Sequence, residues 1–150
     1  EERRLRTRSQ FLNELAVMMG GFAAEQSTFN DISTGASNDL KEASELARKL
    51  VTRYGMSEAL GPMTFGNTEE LIFLGREIAT EKNYSDKTAT QIDEEIKKFI
   101  THAYELAQKI VKTNKQALKK IAQTLLEKET LEQEEFYNLL KPFKIKLVAA

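Results

Sequence analysis

The chain has 150 residues, 41% hydrophobic and 30% charged, the proportions of one soluble globular domain with length enough to bury a core. A formal net charge of −1 excludes a global field drawing it to nucleic acid or anionic lipid, and the lack of cysteine excludes disulfides and thiolate metal sites. No apolar run reaches the roughly 20 residues of a membrane helix and no signal peptide is recognisable, while the opening residue, Glu1 rather than Met, leads us to expect a trimmed piece of something longer.

Apolar spacing along the chain is mostly helical. A first helix is predicted from about Arg8 to Glu25, where Phe11, Leu15, Met18 and Phe22 form one stripe and Leu12, Ala16, Met19 and Ala23 the next. Gly20 and Gly21 inside it should each cost ~1 kcal/mol relative to Ala, which implies a neighbour approaching the backbone closely. A second helix is predicted from Gly35 or Asn38 to Tyr54, with Leu40, Ala43, Ala47 and Leu50 on one face and Gly55 as a left-handed cap. The apolar runs Met63–Phe65 and Leu71–Leu74, on either side of Gly66 and Asn67, predict a small β-hairpin. A third helix follows the N-cap Ser85 and runs to about Lys112, carrying Ile92, Ile96, Phe99, Ala103, Leu106 and Ile110 on one face. A fourth begins after Asn114, with Leu118, Ile121, Ala122 and Leu125 inward. Thr130 and Gln133 predict a capping box for a last short helix, which Pro142 ends. The expected fold is all-α, a bundle of about five helices with one small β-hairpin.

Motifs for chemistry are few. There is no phosphate-binding glycine loop, no cysteine nucleophile, and a single histidine, His102, which the pattern places at the boundary of the third helix or facing solvent. The remaining candidates are carboxylates. Asp39 with Glu42 fits the N-cap and N3 positions of a D-x-x-E cap. Glu25 is either the solvated end of the first helix or a buried acid with a partner. From these residues alone the chain is a helical domain of open function.

Six ordered stretches carry a resemblance: "LNELAVMMGGFAAE", "STGASNDL", "ARKLVTRYGMSEALGPMTFG", "FLGRE", "YSDKTATQIDEE" and "LLEKETL". Together, over about Arg6 to Leu140, they resemble the C-terminal half of the peptidase domain of FtsH-type, membrane-anchored, ATP-dependent zinc metalloproteases. In that family two histidines of an H-E-x-x-H helix and a distant aspartate hold zinc, and the Glu of the motif is the general base. The resemblance puts the aspartate at Asp39, and Glu25 at the family's acidic "AAE" position, where a structural role beside the site is expected. It further implies protein substrates, a homo-hexamer, ATP used by a separate module, and a membrane anchor with the peptidase on the cytoplasmic side or its organelle equivalent. H-E-x-x-H, the ATPase module and the anchor are not in these 150 residues. The chain alone would therefore hold no catalytic residue and an incomplete zinc site. Phe22 stands where the family usually has Arg, and Gln26 where it often has Glu.

Two readings follow from the resemblance. In one the chain supplies the third zinc ligand and a helical platform to an active protease. In the other it is a non-catalytic helical assembly module from a homologue without H-E-x-x-H. The intact "STGASND" block favours the first.

Overall fold

Helix formation starts at Thr7. Its hydroxyl accepts the Gln10 N–H and the Gln10 side chain accepts the Thr7 N–H, a reciprocal capping box that opens α1 (Arg8–Met18). The computed structural model describes residues 5–66 and 82–145, and these form five further α-helices: α2 (Gly20–Phe29), α3 (Ser37–Thr52), α4 (Asp86–Thr113), α5 (Lys115–Lys128) and α6 (Gln133–Leu140). Single 3-10 turns at Thr34–Ala36 and Lys141–Phe143 precede α3 and follow α6.

The helix expected from Arg8 to Glu25 is thus two helices. Met19 stays right-handed but flattens to ψ −7°, which interrupts the regular helix between them although the Met19 N–H still reaches the Leu15 carbonyl, and the glycine pair that follows is a poor helix propagator. A Cβ added at Gly20 would meet nothing within 4 Å. The close neighbour expected there is absent, and Gly20 marks a break rather than a packing contact. The second piece continues past Glu25 to Phe29, where Asn30 takes the left-handed conformation (φ 51°) and returns its N–H to the Gln26 carbonyl.

α4, 28 residues long, lies against α1, α2 and α3 and organises the core. Leu15, Ala23, Ala43, Ala47, Leu50 and Val51 are fully buried from one side, and Ile92, Phe99, Ala103 and Ala107 meet them from α4. Each large aliphatic among them contributes about 1.5–3 kcal/mol relative to exposure. Aromatic contacts tie the helices at their edges: Phe11 stacks on Tyr54 and Phe22 meets Tyr104 edge-on, both at 5.4 Å between centroids. Phe22 therefore joins α2 to α4. After α3, Gly55 turns the chain at φ +60°, and a Cβ there would lie 3.0 Å from the Pro62 Cα. Only glycine meets both demands.

The predicted β-hairpin is not found, and no strand occurs among the described residues. Its first arm, Met63–Phe65, spends its backbone elsewhere. The Phe65 N–H goes to the Thr52 carbonyl at the end of α3 (2.8 Å), the Gly66 N–H goes to Asn83 Oδ1 (2.7 Å), and the Phe65 ring packs edge-on against Tyr84. Donors satisfied by a helix end and an asparagine are not available to a ladder. The second arm, 71–74, lies outside the described residues.

α4 begins where Ser85 predicts, its hydroxyl accepting the Thr88 N–H (3.2 Å). α6 opens on a capping box between Glu132 and Glu135, not between Thr130 and Gln133. α5 buries Ala117 alone and α6 no residue, so the C-terminal pair is a thin extension of the α1–α4 bundle.

Candidate metal centre

The segment between α2 and α3 is built of short polar residues, and its backbone follows from their hydrogen bonds. Ser33 is extended and its hydroxyl accepts the Gly35 N–H (3.0 Å), which caps the 3-10 turn Thr34–Ala36. That turn runs directly into α3. Ala36 is the N-cap of α3 and Asp39 its third residue. Asp39 therefore does not occupy the capping position that D-x-x-E predicts. Glu42 does not complete a cap either, for its carboxylate accepts from Asn38 Nδ2 at 3.1 Å.

Asp39 is half-buried, and among the described residues it makes no hydrogen bond or ion pair. It stands in the first turn of α3, where the positive end of the helix favours a negative group. Across from it is Gly21 in the first turn of α2. A Cβ built at Gly21 would lie 3.9 Å from Asp39 Oδ2, an ordinary contact distance. A methyl would fit there, and a longer side chain would reach the carboxylate.

Glu25 lies one turn beyond Gly21, on the same face of α2. It accepts the Ser33 N–H at 3.0 Å on one oxygen and the Ser33 hydroxyl at 2.7 Å on the other. The Ser33 backbone N–H first, and its hydroxyl second, hold the Glu25 carboxyl below the usual glutamate range. Glu25 is half-buried and partnered, neither a fully buried acid nor merely the solvated end of a helix. Gly35 fits closely against this pair, since a Cβ there would sit 3.2 Å from Ser33 Oγ and 3.3 Å from Glu25 Oε1. One face of α2 thus meets Asp39 at Gly21 and Ser33 at Glu25.

Can these residues serve a metal? A short carboxylate on a helix turn, with no competing partner among the described residues, suits one oxygen ligand to zinc. It does not suit more than one. No group of three or more His, Cys, Asp or Glu that could hold a metal occurs among the described residues. His102 is exposed on α4, away from the buried stripe of that helix. It borders an open cavity of about 600 Å³ in which the neighbouring charges pair with one another, Arg8 with Glu58 (3.1 Å) and Lys98 with Glu95 (2.6 Å).

Sequence reasoning missed two residues that matter. Ser33, one of several small polar residues in its stretch, acquires its role from Glu25, eight positions earlier, and no local pattern encodes that pairing. Glu95 is buried, accepting from Ser57 Oγ (2.7 Å) and Lys98 Nζ (2.6 Å). A signal for it did exist, because position 95 is three after Ile92 and four before Phe99, squarely on the inward stripe of α4.

Comparison with known proteins places these residues in a larger setting. The model of peptidase family M41 matches residues 1–139. The chain is 50% identical over 139 residues to "ATP-dependent zinc metalloprotease FtsH 1" of Thermomicrobium roseum, covering 93% of this chain and 21% of that protein. It is 46% identical over 140 residues to "ATP-dependent zinc metalloprotease FtsH" of Caldicellulosiruptor bescii, covering 93% and 23%. Against the protein of the same name from Thermotoga maritima it is 44% identical over 140 residues, again covering 93% and 23%. The chain therefore spans about a fifth of the length of the curated relatives it matches. No helix among the described residues is long and apolar enough to cross a membrane.

Proposed function

This chain belongs to peptidase family M41, and from that premise we propose that it is the C-terminal part of the peptidase domain of an ATP-dependent zinc metalloendopeptidase, with Asp39 as one protein ligand of the zinc. The observation that carries the reading is the state of Asp39. It is a half-buried carboxylate in a rigid helix turn that neither caps the helix nor pairs with any described residue. A half-buried carboxylate with no partner among the described residues is free to take a cation. The imidazole ligands and the general base come from a segment outside these 150 residues, which contain no H-E-x-x-H and one histidine. Zinc, when bound, polarises the scissile carbonyl and lowers the pKa of its water towards ~7. The chain's own part is to aim one anionic oxygen from the start of α3 and to keep Gly21 clear of it.

In this reading the substrates are misfolded or membrane proteins, delivered by an ATPase module of the same polypeptide. The working form is a homo-hexamer, anchored in a membrane with its peptidase on the cytoplasmic side or the organelle equivalent. The ATPase module and the anchor are not in these 150 residues.

Asp39→Asn in the full-length protein tests the assignment. Asn is nearly isosteric, and Asp39 accepts no helix-end N–H among the described residues, so the fold should persist. A neutral amide is a poorer zinc ligand, so bound zinc should fall and proteolysis should fail while ATP hydrolysis continues. Wild-type zinc content and turnover in the Asn variant would remove Asp39 from the metal.

A further inference from the structure

Two glycines open α2, and the chain's own fold requires neither. Neither has a positive φ. A Cβ at Gly21 would stand at ordinary contact distance, and one at Gly20 would meet nothing within 4 Å. Alanine at either position would hold the helix better. The break before them lies in the ψ of Met19 and asks for no glycine after it. A helical glycine with no reason inside the chain points to close approach by a neighbour from outside it. Gly20 also borders a groove. Ala16, Val17 and Gly20 on one side and Leu106, Ile110 and Val111 on the other line about 300 Å³ between α1 and α4, with no charged side chain in the walls. Val17 is 78% exposed, and the three α4 residues are only half-buried. A wall of small side chains facing a row of large aliphatic ones has the relief that accepts the apolar face of another helix.

We infer that this groove seats an apolar helix face of the same polypeptide, from the segment outside these 150 residues that carries the imidazole ligands. The chain spans about a fifth of the length of its relatives, so the polypeptide outside it is long. The uncharged walls select an apolar occupant. Gly21, the neighbour of Gly20, faces Asp39, so the groove and the space beside the carboxylate meet at the start of α2. A segment that completes a metal site at Asp39 arrives at that same point. The identity of the segment rests on the reading of Asp39 as a ligand, whereas the docking itself rests on Gly20 and the groove.

The test places a diazirine amino acid of about leucine's size at Val17 in the full-length protein, illuminates it, and identifies the linked peptide by mass spectrometry. The link should run, within one subunit, to the segment that carries the imidazole ligands. A link to a second subunit, or reaction with water alone, would overturn the inference. Gly20→Leu supplies the second arm. In the 150-residue chain its side chain enters open space, so the melting temperature should stay level or rise. In the full-length protein the same side chain fills the groove, so the link should be lost and bound zinc should fall. An intact link in that variant, or a chain that melts lower, would overturn the inference, because Gly20 would then serve this chain and not a neighbour. Bound zinc in Asp39→Asn separates the two readings. Loss of zinc there with no link from Val17 defeats only the docking, whereas wild-type zinc there with the link in place defeats only the ligand assignment.

Discussion

Asp39 and Glu95 are both carboxylates on helices, and their surroundings give them opposite tasks. Glu95 is 7% exposed and fully committed, to Lys98 on one oxygen and Ser57 on the other, and the Ser57 hydroxyl also accepts the Leu60 N–H at 3.2 Å. It fastens the loop after α3 to α4. Ser57→Ala should therefore destabilise the chain by about 1–3 kcal/mol, the cost of leaving partly buried polar groups without partners, and urea unfolding would measure it. The Lys98 ammonium, chiefly, holds the Glu95 carboxyl below the ordinary glutamate value of about 4.5. A depressed folded-state value stabilises at pH above the unfolded value and is lost as pH falls through the folded one. Glu95→Gln should accordingly flatten the decline of stability below about pH 4.5, and equal slopes for the two proteins would refute this. At Gly21 the outcome depends on size. Ala fits at an ordinary contact distance from Asp39 Oδ2 and should raise helix stability by up to about 1 kcal/mol. Leu reaches further and should lower zinc binding by the full-length protein. Titration with Zn2+ and thermal melts of the two variants would show whether stability and metal binding part in this way.

Among the elements, α3 and α4 were legible because each is strongly amphipathic and each buries one stripe, Ala43, Ala47 and Leu50 on the first and Ile92, Phe99, Ala103 and Ala107 on the second. The start of α4 at Ser85 was legible because a cap is a local interaction. The break at Met19 was not, since the apolar pattern runs through it and only the glycines hint at it. The β-hairpin was misread because two short apolar runs around a glycine specify no partner, and here the partners of the first run are the end of α3, Asn83 and Tyr84. The site divided in the same way. Asp39 and Glu25 came from the resemblance, and local rules would have left Asp39 as a cap, a role that the first turn of α3 does not give it. α5 and α6, with one buried residue between them, hold few contacts that opening would cost. Their amides should exchange with solvent well before those of α1–α4, and hydrogen exchange with mass spectrometry reads the order directly. Protection of α5 equal to that of α4 would show that the C-terminal pair is integral to the bundle.

In the whole molecule, platform and chemistry are separate. The chain supplies a packed helical body and one prospective ligand, so by itself it should hydrolyse neither casein nor a fluorogenic peptide, with or without zinc. Turnover that persists through repeated purification would contradict this. The chain also exposes large apolar side chains, with Val17 78%, Phe29 73% and Leu126 86% accessible, and should self-associate with rising concentration in light scattering. A monomer at every concentration would show these side chains too scattered to cohere. Whether the first turn of α3 meets zinc is read from diffraction by crystals of the full-length protein on both sides of the zinc absorption edge. An anomalous peak is expected at about 2.0–2.2 Å from an Asp39 carboxylate oxygen. A zinc peak whose ligands are all other residues, with Asp39 out of reach, would contradict it.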